Sequence, residues 1–179
     1  MNLTKNYFEL FGVSQQFDVD TQKIVASYRE LQRQFHPDKF TSHSAAEQKL
    51  AVQFSAHLNS ALQVLKSPVL RAEYLLALAG QETDYQSTTI SDAQFLMMQL
   101  EWRETLADIA ASQDIDQAES DLEQLDNSVA QQQQLFSKAF NQQYVAGDYP
   151  LAQQTIAKLH FVDKMSREIV ALEATLSDH

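Results

Sequence analysis

Glycine and proline are the residues that most often interrupt helices, and this chain of 179 residues contains only three of each. The breaks that they mark fall at Gly12, Pro37, Pro68, Gly80 and positions 147–150. Between these breaks the apolar residues recur with the helical period of about 3.6 residues, and no stretch alternates as a strand would. The spacing therefore predicts an all-α chain.

Two amphipathic patterns in the first half face each other across a short turn. The apolar stripe of helix 21–35 consists of Ile24, Tyr28, Leu31 and Phe35. The stripe of helix 45–66 consists of Leu50, Phe54, Leu58, Ala61 and Leu65. Because two such stripes bury each other, they predict an antiparallel helical hairpin, with short flanking helices over 7–11 and 69–79.

Three longer helical patterns, over 92–112, 115–146 and 149–177, follow a polar segment rich in Ser and Thr. We expect Ser91 to cap the first of them. The short joints favour antiparallel neighbours and predict a three-helix bundle. The sequence thus divides into a domain over 1–80, a connector over 81–91 and a bundle over 92–179.

Composition excludes several classes of function. The chain has no cysteine, which rules out disulfides, thiolate metal sites and cysteine nucleophiles. Its net charge is −11, and residues 80–179 carry −12 of it against +1 for residues 1–79, a balance that argues against nucleic-acid binding. The longest apolar run has six residues, too short to span a membrane. The first ten residues lack the apolar core of a signal peptide, so we expect a cytoplasmic protein.

The turn between the paired helices combines three unusual neighbours, His36, Pro37 and Asp38. Pro37 cannot continue a helix and drives His36 toward an extended conformation, so the turn is stiff. An acid/base pair of His36 and Asp38 lacks a nearby nucleophile, and a metal site that adds His43 lacks suitable ligand spacing. From the residues alone, a loop that simply ends the helix is the simpler interpretation.

Helix 92–112 has two apolar faces. Its core stripe is formed by Phe95, Met98, Trp102, Leu106 and Ile109. At about 100° per residue, the second apolar set, Leu96, Met97 and Leu100, lies on the opposite side. Such a face is either a protein-binding patch, a surface packed against the first half, or a site of self-association. In the last helix, Phe161 lies on the shoulder of the core stripe, where it could pack or project.

The first half resembles the J-domain family. The resemblance rests on the helical hairpin and on three segments, YREL at 28–31, QFHPDK at 34–39 and LNSALQVL at 58–65. J-domains dock on DnaK-class chaperones and stimulate their ATP hydrolysis. The resemblance implies that His36, Pro37 and Asp38 form the docking element, and that an acidic patch of the chaperone meets Lys23, Arg29 and Arg33.

The whole chain resembles the HscB family of bacterial iron–sulfur cluster assembly, on the segments LRAEYLL at 70–76, FLMMQLE at 95–101 and KLHFVDK at 158–164. Members bind the scaffold protein IscU and present it to the chaperone HscA. The resemblance implies a non-enzymatic adaptor without a cofactor or metal. It assigns scaffold binding to Leu96, Met97, Leu100 and Phe161, with Glu101, Arg103 and Glu104 as polar neighbours. The alternative is a general J-protein that delivers unfolded clients.

Overall fold

The computed structural model describes residues 1–81 and 92–177, and within these ranges it contains helices and turns but no strand. The α-helices are α1 (Tyr7–Phe11), α2 (Thr21–Phe35), α3 (Ala45–Lys66), α4 (Pro68–Leu78), α5 (Ala93–Ala111), α6 (Ile115–Ala146) and α7 (Tyr149–Ser177). The chain divides into two compact units, the first of which ends at Gly80. The predicted all-α fold is therefore confirmed. Residues 82–91 of the expected connector lie outside the described ranges.

Side-chain caps set the helix boundaries of the first unit. Asp20 accepts a hydrogen bond from the amide of Lys23 at the start of α2. Ser44 and Glu47 form a reciprocal capping box at the start of α3, and Ser67 caps α4. Each cap satisfies backbone amides that have no partner within the helix. These caps thus fix where α2, α3 and α4 begin.

The core of the first unit lies between α2 and α3, with α1 and α4 packed around it. The buried apolar side chains of the hairpin are Ile24, Ala51, Phe54, Leu58, Ala61 and Leu65. Phe8 and Phe11 of α1 and Leu75 and Leu76 of α4 are also buried. Among the predicted stripe residues, Ile24, Phe54, Leu58, Ala61 and Leu65 are buried, whereas Tyr28, Leu31, Phe35 and Leu50 are only half-buried. The opposite side of α2 lies in solvent.

A buried arginine fastens α4 to the rest of the first unit. Arg71 is only 7% exposed, and its Nη1 donates a hydrogen bond of 2.6 Å to the carbonyl of Leu65. Its guanidinium carbon lies 4.7 Å from the centre of the Phe17 ring, a cation–π contact. Burial lowers the pKa of Arg71, and nearby Asp18 partly offsets that effect. Arginine remains protonated even so, because its pKa starts far above neutrality.

The second unit is an antiparallel pair, α6 and α7, against which α5 packs. Buried side chains of all three helices form its core: Phe95, Ile109, Ala118, Leu122, Leu125, Val129, Phe161, Val162, Met165 and Ile169. On α5, Met98, Trp102 and Leu106 are partly buried against this core. Gly147 ends α6 in the left-handed conformation with φ of 75°, which glycine adopts without strain. No helix among the described residues is long and apolar enough to cross a membrane.

The first turn of α5 is tied to α7 by an ion pair. Asp92 caps the helix by accepting from the amide of Phe95, and its Oδ2 lies 2.5 Å from Nζ of Lys158. The same Nζ lies 5.5 Å from the ring centres of Phe95 and Phe136. The predicted N-cap, Ser91, is wrong: the observed N-cap is the next residue, Asp92. Ser91 itself lies outside the described ranges. Asp92 supplies the same kind of side-chain oxygen together with a charge that Lys158 can neutralise.

This ion pair predicts a pH-dependent contribution to stability. Lys158 and the Phe95 amide lower the pKa of Asp92, so the folded state favours the carboxylate. The stabilisation is therefore present above the pKa of the unfolded chain and is lost as the pH falls through the folded pKa. Asp92→Asn keeps a good capping side chain but removes the charge. We expect this variant to be less stable than the wild type at pH 7 in urea denaturation.

Below both pKa values the aspartate is protonated, and the two proteins should become equally stable. Because Asp92 is 39% exposed, added salt should also reduce the difference at pH 7. A difference in unfolding midpoint that persists unchanged at acid pH would contradict an ion-pair origin.

Candidate protein-binding sites

The His-Pro-Asp turn begins where α2 ends. His36 follows the helix in an extended conformation, with φ of −60° and ψ of 133°. Pro37 then starts a 3-10 turn that runs to Phe40, and the amide of Lys39 donates to the carbonyl of His36 at 3.0 Å. The extended conformation predicted for the residue before the proline is confirmed. The backbone is thus constrained on both sides of the tripeptide.

Within this turn, His36 and Asp38 orient each other. Nδ1 of His36 accepts from the amide of Asp38 at 3.3 Å and lies 3.5 Å from Oδ2 of the same residue. Nδ1 is thus engaged with Asp38, which leaves Nε2 as the ring nitrogen available to a partner. The two side chains are 51% and 87% exposed. The turn therefore offers an imidazole nitrogen and a carboxylate to a protein partner.

The metal interpretation of this turn gains no support from the geometry. Among the residues that the structure describes, no group of three or more histidine or carboxylate side chains is placed to hold a metal ion. The ring of His43 instead packs on Phe40, with the ring centres 4.9 Å apart. His43 is thus engaged in the turn's own packing.

The outer face of α2 is basic. Lys23, Arg29 and Arg33 are all exposed on the side opposite the buried Ile24, as predicted from the helical period. Arg33 is paired with Glu30 one turn earlier, whereas no ion pair involves Lys23 or Arg29 among the described residues. A shallow depression beside Arg29 is also lined by Lys66 at the end of α3. Lys66 extends this basic face, and sequence periodicity missed it because it comes from another helix.

The apolar patch of α5, formed by Leu96, Met97 and Leu100, is solvent-exposed. These side chains are 47%, 57% and 56% exposed, respectively, whereas the neighbouring Phe95 is 3% exposed. Three large apolar side chains on one side of a single helix form a contiguous surface. The geometry predicted from the helical period, with one apolar face inside and another outside, is confirmed.

Phe161 packs inside the bundle instead of joining the exposed patch. It is 9% exposed, and its ring meets Phe95 edge-to-face with centres 5.6 Å apart. It also stacks on Trp102, with centres 6.0 Å apart and 18° between the planes. The two α5 aromatics thus cover the ring that was assigned to the binding surface. Phe161 therefore supports α5 from beneath.

Charged side chains of opposite sign flank the patch. Arg103 lies on the side of α7, with its guanidinium carbon 5.8 Å from the centre of the Phe161 ring. Glu101 lies on the side of α6, where it borders a cleft that Asp108 and Asp121 also line. Glu104 is exposed between these two edges. The patch is therefore cationic along one edge and acidic along the other, a polarity that only the helix packing reveals.

Two family models match the chain, one in each unit. The model described as DnaJ domain matches residues 6–74. The model described as HSCB C-terminal oligomerisation domain matches residues 91–170. The first match contains the His-Pro-Asp turn and the basic face of α2, and the second contains the whole of α5 and its apolar patch.

Comparisons with curated proteins and solved structures extend over nearly the whole chain. A co-chaperone protein HscB homolog of Aeromonas hydrophila is 43% identical over 171 residues, covering 96% of this chain and 98% of that protein. The chaperone HscB from Vibrio cholerae superposes with a TM-score of 0.80 at 37% identity, covering 96% of this chain and 99% of the other. Human co-chaperone HscB gives a TM-score of 0.83 at 27% identity, covering 97% and 84%. This chain therefore belongs to the HscB family of J-domain co-chaperones.

Proposed function

We propose that this co-chaperone is a non-enzymatic adaptor in iron–sulfur cluster assembly. It binds an IscU-like scaffold protein, brings it to an HscA-like chaperone of the DnaK class and stimulates the ATPase of that chaperone. The observation that carries the proposal is the exposure of two surfaces in separate compact units, the His-Pro-Asp turn in one and the apolar patch of α5 in the other.

The chaperone-binding surface consists of the turn and the basic face of α2. Because Pro37 and the hydrogen bonds around His36 constrain the turn, little conformational entropy is lost when it docks. Lys23 and Arg29 have their charges available for an acidic partner, and Lys66 adds a third. Such exposed charges mainly increase the rate of association and select the orientation of the partner. The turn itself then provides the contacts that affect ATP hydrolysis.

The scaffold-binding surface is the apolar patch with its two charged edges. Leu96 and Leu100 provide aliphatic area, and Met97 adds an unbranched side chain that adapts to an irregular groove. A complementary partner presents an apolar depression with an acidic group near Arg103 and a basic group near Glu101 or Glu104. The apolar contacts supply most of the affinity, and the charges fix the orientation.

Placing both surfaces on one chain gives the adaptor its effect. A scaffold bound to the second unit is tethered to the chaperone that the first unit engages, so their encounter becomes intramolecular. For short flexible linkers the effective concentration of the second partner is in the millimolar range. The overall affinity can then exceed that of either separate interaction by about 10²- to 10⁴-fold. The adaptor therefore couples ATP hydrolysis to capture of the scaffold without contributing a reacting group.

The first test replaces the ring of the docking turn. His36→Gln keeps a polar side chain of similar size but removes the imidazole that orients Asp38. We expect stimulation of the chaperone's ATPase to fall to the basal rate, while scaffold affinity stays within about twofold because the altered residue lies in the other unit. Steady-state phosphate release and calorimetric titration with the scaffold measure the two effects.

The matched control is His43→Gln, which makes the same chemical change seven residues later. His43 is exposed and its ring contacts Phe40, but among the described residues it has no hydrogen bond or ion pair with His36 or Asp38. This variant should stimulate the ATPase like the wild type. Stimulation that survives His36→Gln, or that is lost equally in both variants, would contradict the role given to the turn.

The second test removes the patch. Leu96→Ala, Met97→Ala and Leu100→Ala are combined, since alanine preserves the helix and these side chains are largely outside the core. If each side chain contributes about 1 kcal/mol or more, scaffold affinity should fall by about 100-fold. Calorimetric titration with apo and cluster-loaded scaffold measures the change, and ATPase stimulation without scaffold should persist.

The control for the patch uses three other exposed aliphatic residues of the same unit, Leu135, Val145 and Leu151. Changing all three to alanine should leave scaffold affinity within about twofold. Equal losses in both triple variants would contradict a specific patch. Binding of denatured polypeptides in place of the folded scaffold would instead identify a general J-protein, and self-association abolished by the patch variant would identify an oligomerisation surface.

The third test asks whether Phe161 acts by supporting the patch from within the bundle or by contacting the scaffold directly. Phe161→Ala removes a ring that packs on Phe95 and Trp102, so it should lower the free energy of unfolding by about 3 kcal/mol as well as weaken scaffold binding. The triple patch variant should leave the urea midpoint nearly unchanged. An unchanged midpoint in Phe161→Ala would show that the ring contributes nothing to the bundle and acts only at the surface.

A further inference from the structure

A second groove in the bundle lies between α6 and α7, near the start of α6 and the end of α7. It encloses about 440 Å³ and receives no side chain from α5. Leu122 and Ile169 line it from the core, and Val170, which is 59% exposed, adds an apolar wall. The groove is therefore separate from the α5 patch, and no part of the proposed function uses it.

Four of the five polar residues that line this groove are acidic, and the fifth is Ser177. Glu119, Glu123 and Asp126 come from α6, and Glu173 comes from α7. Among the described residues, none of these carboxylates has an ion-pair partner. The sequence provides none nearby either, because it contains no Lys or Arg over 115–137 or over 168–177. Four negative charges thus surround an apolar floor without local compensation.

The requirements of the helices do not explain this arrangement. Glu119 and Glu123 are one turn apart, and like charges at that spacing repel. Acidic residues favour the first turn of a helix, but Glu123 and Asp126 lie well beyond the first turn of α6. Glu173 lies near the C-terminus of α7, where the helix dipole favours cations. A bound cationic group would reduce both the repulsion among these carboxylates and the unfavourable interaction of Glu173 with the helix dipole.

Electrostatics selects the kind of occupant. The acidic rim repels nucleic acid, anionic membranes and the same groove of a second copy. It also lacks a carboxylate cluster placed to hold a metal ion among the described residues. The apolar floor favours a ligand with apolar side chains, because removing apolar surface from water lowers the free energy. What remains is a protein segment that is both cationic and amphipathic.

We propose that the α6/α7 groove binds a short amphipathic helix of a partner protein whose apolar face is bordered by Lys or Arg. From Glu119 to Asp126 the α6 rim spans about 10 Å, which matches about two turns of a docked helix. Leucine-like side chains of this helix cover Val170 and the floor, and its cations pair with the four rim carboxylates. This interaction is independent of the chaperone and scaffold surfaces.

The test is a fluorescence-anisotropy titration of the full-length chain against a labelled synthetic peptide. The probe has about 12 residues, with a leucine face bordered by lysines, and a scrambled peptide of identical composition serves as comparison. We expect the amphipathic peptide to bind about tenfold more tightly than the scrambled one. Glu119→Gln combined with Glu123→Gln should weaken binding about tenfold, and Val170→Asn about fivefold.

The matched control is Asp108→Asn combined with Asp121→Asn, which removes two charges from the neighbouring cleft between α5 and α6. Binding should then stay within about twofold of the wild type. Equal affinity for both peptides, equal weakening by both charge pairs, or no binding of the amphipathic peptide would overturn the proposal. Sedimentation showing self-association that Val170→Asn abolishes would assign the groove to a second copy and would also overturn it.

Discussion

The rotation of α5 about its own axis is the constraint on which the second unit depends. Phe95 and Trp102 fix that rotation by packing on Phe161 of α7, and the Asp92–Lys158 pair anchors the first turn. With these contacts made, Leu96, Met97 and Leu100 have no access to the core of their own bundle. The exposed patch is therefore a direct consequence of aromatic packing on the opposite side of the same helix.

The helices were predictable because their determinants are local. Apolar spacing of three and four residues, together with breaks at Pro37, Pro68 and Gly147, places each helix within two residues of its observed bounds. The burial of Phe161 was not predictable from the sequence, because its side chain lies at the edge of the apolar stripe of α7. It is buried only because α5 places Phe95 and Trp102 against it. The contribution of Lys66 to the basic face, and the α6/α7 groove, likewise depend on residues from two helices.

The uneven charge of the chain has different consequences in the two units. The near-neutral first unit can still present a basic face, because its cations are concentrated on one side of α2 and at the end of α3. In the second unit the excess acid surrounds one apolar surface and borders another, at the groove and the patch. Charge around exposed apolar area keeps such a surface soluble and also restricts which partners can approach it.

Under the proposed function, the two units bind their partners by different physical means. In the first, Pro37 and short-range hydrogen bonds stiffen a loop, so recognition depends on backbone restraint and on two polar side chains. In the second, a regular helix presents aliphatic side chains, and its rigidity comes from the core beneath it. A loop that is stiff but makes few contacts suits a partner that must be released after each ATP cycle. A broad apolar patch suits a partner that must be held through that cycle, since apolar contacts mainly slow dissociation.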